Sequence, residues 1–534
     1  MNEKSSAADV MVIVLFAAVP LFIKFPYRIN IFLSWEGAYR ISKGEIPFRD
    51  FAMPLGYMFW VIPAVFFKIF GPSLITLVKA QVFINIISGL AFRSIMKSIG
   101  ISNSIRFLSV LLFCLSFSFI NFWPWYNHTV IVYEFVSIAF LLKYLFRQQS
   151  QWNFIWLLFS SLFTFFSFFT KQDGGAICFL ICVALLVYVG IKDKKWLPLI
   201  TYIAEVFIIG FLFIYPLTKY HFGYWFNHGQ APHQARISLF EIADEFFYSS
   251  QWIKFYIFLI GFLLVIKIKN TGSFFSNRRE MIFLLLTAGI LAEAIIIQIT
   301  SYTPPEGNIF FHSFAFAYIM HLLSELLSVK WSSRKYFGIV LCGILLWWSG
   351  SYWKYISRYL DSLHTEPAMS KNGENVVNRK TFILNKDTIE VPQTKWSATD
   401  IAYFEKIKLP IPTIEGINRL KKLPSITKVD SKVLNMTELT PLAAAIPFNL
   451  EKGQDYPLWY HLGVGMFNSQ AQFFEDRIKK NYYDVVLFEY IPRLNNFYPF
   501  RTRDTLMKYY NRIDSFYAPR SGDTPGTIEV YQPK

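Results

Sequence analysis

The sequence predicts an α-helical polytopic membrane protein: about eleven transmembrane helices, juxtamembrane helices in the first external loop, and a C-terminal soluble α/β domain. Three observations predict it. Of 534 residues, 54% are apolar and only 16% charged, against about 25% charged in a globular chain, so something other than water solvates much of the surface. Apolar runs of 17 to 25 residues recur through the first two thirds, a length that crosses ~30 Å of hydrocarbon at ~1.5 Å rise per residue. After Asp361 charges and prolines rise, and no later segment is apolar enough to span. Buried helices of a large soluble enzyme would need polar faces at helical spacing, and runs such as Trp152–Thr170 and Ala176–Gly190 have none.

The apolar candidates fall near 9–25, 54–71, 74–93, 107–123, 129–146, 152–170, 174–191, 196–217, 251–268, 281–300, 309–329 and 336–354. Five basic clusters occupy every second connection: Arg93/Lys97/Arg106, Lys143/Arg147, Lys192/Lys194/Lys195, Lys267/Lys269/Arg278/Arg279 and Lys330/Arg334/Lys335. The alternate connections, 121–128, 171–173, 218–250 and 301–308, hold only Lys171, Lys219 and Arg236. Lys and Arg concentrate in cytoplasmic loops, which puts the first set inside the cell and the second set, with everything after Arg358, outside. The net charge of +16 is thereby a topology signal and not a nucleic-acid patch. The first apolar run, Val10–Ile23, lacks a small-residue cleavage site and reads as a retained helix.

Segment 54–71 decides the placement of loop 27–53. If it spans, parity puts the N-terminus outside and that loop in the cytoplasm; if it is re-entrant or interfacial, the N-terminus is cytoplasmic and the loop is external. Pro54, Pro63, Gly56, Lys68 and the Gly71-Pro72 stop suit a broken, partly submerged helix. The basic residues Lys24, Arg28, Arg40, Lys43 and Arg49 argue the other way. Cys114, Cys178, Cys182 and Cys342 all lie in apolar stretches and read as buried, inert thiols, with no disulfide framework or zinc site.

Several stretches together resemble a known family. They are Trp35-Glu36-Gly37-Ala38-Tyr39, Lys43-Gly44-Glu45-Ile46-Pro47-Phe48-Arg49-Asp50-Phe51, Pro54-Leu55-Gly56-Tyr57, Phe70-Gly71-Pro72-Ser73, Trp123-Pro124-Trp125-Tyr126-Asn127-His128 and Thr170-Lys171-Gln172-Asp173-Gly174-Gly175. They are similar to the GT-C class of membrane glycosyltransferases, in the branch of protein mannosyltransferase-like and lipid A or polysaccharide-modifying enzymes. The resemblance covers about residues 10–350. It implies an external first loop at about 26–73, a membrane domain over 1–357, an external domain over 358–534, and residence in a bacterial inner membrane. It also implies transfer of a sugar from a polyprenyl-phosphate donor to an external (periplasmic) lipid, glycan or protein acceptor. Glu36 stands where family members carry Asp. Two other classes stay open on residues alone: a transporter or flippase of a lipid-linked sugar, and a catalytically inactive membrane scaffold.

Transfer from a lipid phosphate needs a carboxylate to deprotonate the acceptor, a cation for the departing phosphate and an apolar groove for the lipid tail. Glu36 is the candidate base, with Asp50 behind it. Against each stands a plain ion pair, with Arg40 one helical turn on and with Arg49 next door. Lys171 is the candidate phosphate ligand, against a lysine that merely snorkels to the interface, and Arg236 is a second. Asn127, His128, Gln172, Asp173 and Tyr57 are candidate substrate contacts; a capping Asn and a solvated His are the plain alternatives at 127 and 128. A divalent cation (Mg or Mn) bridging Glu36 and the donor phosphate is compatible with hard oxygen ligands. His221, His228 and His233 do not have zinc spacing. The run Phe159–Phe169 lines a prenyl groove or packs helices. In the tail, Asp484–Tyr490 and Thr527–Tyr531 read as strands, Phe473–Lys480 and Thr502–Asn511 as amphipathic helices, and 365–440 as partly linker. A lid or acceptor-recognition role is expected there.

Overall fold

A computed structural model describes residues 2–28, 31–116, 119, 121–146, 153–227, 238–271, 274–301, 309–327, 329–363, 391, 393–446, 448–458, 466–492, 498–520 and 525–534. Helices dominate as far as residue 363. They are α1 (Asn2–Ala18), α2 (Ile31–Ser42), α3 (Met58–Phe70), α4 (Leu74–Ile99), α5 (Asn103–Cys114), α6 (Tyr126–Phe146), α7 (Asn153–Phe168) and α8 (Gln172–Asp193). There follow α9 (Leu197–Ile214), a short α10 (Phe222–Asn227), α11 (Gln251–Thr271), α12 (Arg278–Ser301), α13 (Ile309–Leu326), α14 (Arg334–Trp347) and α15 (Ser349–Leu363).

Six of the described helices are long and apolar enough to cross a membrane: α4, α6, α8, α9 with its 3₁₀ extension to Leu217, α11 and α12. The pair α14–α15, bent by 56°, makes a seventh. α1, α3, α5 and α7 are shorter apolar helices. The expected count of eleven therefore exceeds what length and composition establish.

Sequence explains the ends. Ser73 caps α4 by accepting from the Thr76 N–H, and Gly100 closes it in the left-handed region at φ 89°, a conformation that costs glycine no Cβ clash. The bundle core is aromatic: Phe92 of α4 stacks on Phe113 of α5 at 4.6 Å between centroids, and Phe314 of α13 meets Phe92 at 5.1 Å and Phe135 of α6 at 5.4 Å. On α9 only Tyr202 is buried, and Phe207, Ile208, Phe211 and Leu212 are exposed, the surface expected of a helix solvated by lipid. In the Phe159–Phe169 run, Phe165 and Phe169 are buried packing residues while Phe159 is exposed. Cys114, Cys178 and Cys182 are buried as expected, but Cys342 is exposed, because α14 sits at the edge of the bundle.

Segment 54–71 packs against the C-terminal part of the chain. Phe25–Pro26 (β1) pairs in parallel with Ile407–Leu409 (β3), which also pairs with Ser397–Ala398 (β2). The Ala52 N–H donates to the Tyr456 carbonyl, and the Leu458 N–H to the Ala52 carbonyl. Past α3, the Trp35 indole donates to the Pro72 carbonyl, and the Leu74 N–H donates to the Tyr403 carbonyl at 2.9 Å. Both ends of α3 thus lie against the C-terminal segment, and loop 27–53 touches the same segment through Arg40 and Ala52. Arg93 and Lys97 sit in the last two turns of α4, ~28–35 Å along the helix from Leu74, so this basic cluster lies at the far end of the bundle. There Asp9 is held by Arg93 and Arg106 at 3.1 and 2.7 Å.

From residue 397 onward a second sheet forms in the order β4-β5-β7-β6: Val433–Met436, Val485–Tyr490, Thr527–Pro533 and Tyr510–Tyr517. β4 and β5 are parallel and the others antiparallel. Beside it lie α16 (Ile411–Leu420), α17 (Phe467–Lys479) and α18 (Phe500–Tyr509). The expected strands are present; the expected helices begin earlier, at 467 and 500. β6 was not anticipated, because it follows α18 with no turn residue between and its middle is solvent-facing. Residues 397–440 carry more order than a linker; 364–390 lie outside the described residues.

Candidate functional site

α2 lies between α3 and the C-terminal segment. Gly37 lets the Trp60 ring close on it, and a Cβ there would stand 2.0 Å from that ring. This close approach buries Glu36 (6% exposed) and Arg40 (0%). A buried charge must be paired. Arg40 donates from Nε and Nη2 to the same oxygen, Glu36 Oε1, at 2.9 and 2.8 Å. Its Nη1 donates to Glu45 Oε2 and to the Glu451 carbonyl, both at 2.9 Å. Lys452 stands 3.3 Å from Glu45 Oε1, and the guanidinium lies 4.8 Å from the Tyr456 ring centroid. One guanidinium therefore joins loop 1 to the C-terminal segment.

The ion pair with Arg40 is formed, yet it engages only one of the two Glu36 oxygens. Among the described residues no hydrogen bond reaches Oε2, and Glu36 lines a small cleft with Phe32, Asn435, Thr437, Tyr456 and Tyr498. Burial lifts the Glu36 carboxyl above its ordinary range, against the opposing pull of Arg40. At about 30 Å³ the cleft holds a water or two and no sugar.

Asp50 is a different carboxylate. It accepts from Arg49 at 2.6 Å and from the Ile46 N–H at 2.8 Å. Although partial desolvation would raise it, those bonds hold it below the ordinary carboxylate range. The plain ion pair is what the structure shows there.

Lys171 precedes α8 and is buried. Its Nζ donates to Asp173 Oδ2 at 2.8 Å and reaches Thr300 Oγ1 at 3.4 Å, so it is neither free nor snorkelling. Asp173 also accepts from the Gly174 N–H, and Gln172 donates to the Pro54 carbonyl at 3.2 Å. Tyr57 packs between Phe48 and Phe169. Gln172, Lys171, Asp173 and Tyr57 thus gather around segment 54–58, while Glu36, Arg40 and Glu45 gather around α2. His128 is buried, not solvated, with Nδ1 3.2 Å from Asn121 Nδ2, because α6 turns that face into the bundle; Asn127 is half-buried beside it. Arg236, His228 and His233 lie outside the described residues.

The Glu36–Glu45 oxygens are a poor set for a divalent cation. Arg40 and Lys452 already pair with these carboxylates, and Oε2 offers a single oxygen where such ions take about six. Among the described residues the group with metal-like spacing is Glu280, His321 and Glu325, at the end of α12 opposite Thr300. Lys267 takes that place, 2.7 Å from Glu280 and 2.5 Å from Glu325.

The sequence reading missed Arg40 as an organising group, along with Glu45 and Tyr456. It also passed over Glu134 in α6 and Glu293 in α12. Both are fully buried and lie against each other, and among the other described residues no donor reaches their four carboxylate oxygens. A charged residue inside an apolar run was the available signal.

No family model and no curated protein matches this chain. Solved structures do. The crystal structure of ArnT from Cupriavidus metallidurans in the apo state superposes with a TM-score of 0.52 at 10% identity, over 98% of this chain and 97% of that one. The same protein bound to undecaprenyl phosphate gives 0.50 at 12% identity, over 99% and 98%. The match runs end to end, includes the C-terminal segment, and bears out the GT-C resemblance as a shared fold.

Proposed function

We propose that this chain is a polyprenyl-phosphate-dependent glycosyltransferase of the GT-C type. In this reading eleven crossings, counting α1, α5, α7, α13 and the bent pair α14–α15, place loop 1 and a domain over 358–534 on the periplasmic face of a bacterial inner membrane. Glu36 accepts the acceptor's proton through Oε2 while Arg40 holds Oε1. Lys171 receives the donor phosphate by exchanging Asp173 for it, with Gln172 and Tyr57 alongside; Arg236, His128 and Asn127 are further contacts. The observation that carries the reading is a buried carboxylate with one oxygen held and one oxygen open to a cleft. It is supported by a fold shared over the whole chain with a protein solved with undecaprenyl phosphate. The cleft is too small for a sugar, so the C-terminal segment acts as a lid that must lift from α2.

The test is transfer by the reconstituted full chain from polyprenyl-phosphate sugars to envelope lipids and glycans. Glu36→Gln is expected to reduce turnover by about 10²–10⁴ while expression and melting persist; wild-type turnover in Glu36→Gln overturns the base assignment. One observation favours a second reading. The buried pair Glu134–Glu293 is of the kind that transporters carry within the membrane. Translocation of a fluorescent lipid-linked sugar in proteoliposomes, lost in Glu134→Gln without any transfer activity, would establish that reading instead.

A further inference from the structure

Between two residues that line the Glu36 cleft, Thr437 and Thr440, stands Glu438, part of a second buried charge cluster. The chain leaves β4 in a turn over 437–440. Thr437 donates to Asn435 Oδ1 at 2.7 Å and accepts from the Leu439 N–H at 3.1 Å. The Glu438 N–H donates at 2.8 Å to Oε2 of Glu489, on the parallel strand β5. Arg520, three residues past β6, donates from Nη2 to Glu438 Oε1 at 2.7 Å and from Nε to Glu489 Oε1. All three side chains are buried. The same turn sits on loop 1. The Tyr27 hydroxyl donates to the Glu438 carbonyl at 2.5 Å, and the Thr440 hydroxyl to the Phe32 carbonyl at 3.2 Å. Glu438 therefore faces both ways, with its side chain and N–H bound inside the C-terminal segment and its carbonyl bound to loop 1.

Two carboxylates share one guanidinium, and among the described residues no other cation pairs with either. A buried charge without a counter-charge is strongly disfavoured, so a proton completes the cluster. Hydrogen bonding says where it sits. Glu489 accepts at both oxygens, as an ionised carboxylate does, whereas Glu438 accepts at Oε1 and among the described residues no hydrogen bond reaches its Oε2. Burial lifts the Glu438 carboxyl well above its ordinary range, against the pull of Arg520 and with the push of Glu489. Two other titratable groups face the cluster. Tyr27 is pushed well above the ordinary phenol range by burial and by Glu438, Glu489 and Glu36, so it stays a donor; Tyr498 stands near Arg520.

We propose that Glu438, Glu489 and Arg520 form a proton-operated clasp, which seats the 437–440 turn on loop 1 while Glu438 carries a proton and releases it when that proton leaves. The clasp stands whether or not the chain transfers a sugar. The seated state holds one proton more than the released state. Seating is therefore complete at acid pH and is lost as pH rises through the raised Glu438 value, by about tenfold per pH unit for one linked proton. Because Thr437 and Thr440 line the Glu36 cleft, release opens that cleft.

The experiment is hydrogen–deuterium exchange of the full chain in nanodiscs, read as protection factors of the 433–440 amides from pH 5 to pH 9. Wild type is expected to lose about tenfold in protection per pH unit over part of that range. Glu438→Gln, neutral at every pH and still able to accept from Arg520, is expected to keep the acid-level protection with no slope. Glu489→Gln leaves one carboxylate for one guanidinium, so its slope is expected to reverse, with protection falling on acidification. Glu36→Gln removes the other raised carboxyl at this joint and is expected to keep the wild-type slope. Flat wild-type protection, a slope that survives in Glu438→Gln, or a slope lost in Glu36→Gln overturns the clasp. Should Glu438→Gln not fold, the sign of the slope in Glu489→Gln decides, and a slope of wild-type sign there overturns it as well.

Discussion

Arg40→Gln is the most informative single perturbation, because one side chain satisfies two buried carboxylates and a carbonyl across the joint between α2 and the C-terminal segment. The substitution removes two bonds to Glu36, one to Glu45 and one to the Glu451 carbonyl. Removing one partner of a buried ion pair costs about 3–5 kcal/mol, since the remaining charge stays desolvated. That is about 10²–10⁴ in the folded-to-unfolded ratio. The assay is unfolding in mixed micelles at several scan rates, because membrane proteins unfold with poor reversibility. Two further readouts separate a charge effect from lost packing. With no guanidinium to oppose desolvation, Glu36 titrates further above its unfolded value. The folded form then binds more protons, and stability falls as pH rises from the ordinary carboxylate range toward that raised value. Acidification should therefore recover part of the loss. Adding Glu36→Gln and Glu45→Gln to Arg40→Met should recover most of it. An Arg40→Gln protein that melts with wild type at pH 8, or that weakens further on acidification, refutes the network.

If Glu36 is the base, it acts only when deprotonated, and its carboxyl is raised; kcat/KM should climb with pH through a value above the ~4.3 of an unperturbed Glu, a rise absent in a slow Glu36→Gln enzyme. Lys171→Gln should raise the donor KM at least tenfold, about 1.4 kcal/mol, with a smaller effect on the acceptor KM, as steady-state kinetics would show. At Gly56 a Cβ would stand 1.8 Å from the Phe169 carbonyl oxygen, a backbone atom that cannot swing aside; Gly56→Ala should cost about 1–3 kcal/mol and lower the melting temperature. In a Cys342→Ala background, Lys43→Cys, which is exposed in loop 1, should react with an impermeant maleimide on intact cells, and Lys194→Cys only after lysis.

The parts of this fold that were legible in the sequence are those where lipid imposes a rule. Long apolar runs and alternating basic connections follow from the cost of exposing peptide groups and charges to hydrocarbon. Residues 58–70 obey the same composition rule in a helix of only 13 residues. What holds them against the rest of the chain is tertiary: the Trp35 indole on Pro72, Leu74 on Tyr403, and a glycine at 37 that lets Trp60 close down. None of these contacts leaves a periodicity to read. The carboxylate at 36 was legible because an acid just past a first apolar run is conspicuous, but its partnership was not. The helical spacing to Arg40 showed one bond, whereas the guanidinium also reaches Glu45 five residues on, and Glu451 and Tyr456 in a segment more than 400 residues away in the chain. That long-range contact changes the meaning of the site. A free Glu36–Arg40 pair on a surface helix would be a solvated ornament worth about 0–1 kcal/mol. Buried beneath the C-terminal segment, the same pair leaves Glu36 with one oxygen committed and one open to a cleft, so the residues that join loop 1 to that segment are also those that orient the proposed base.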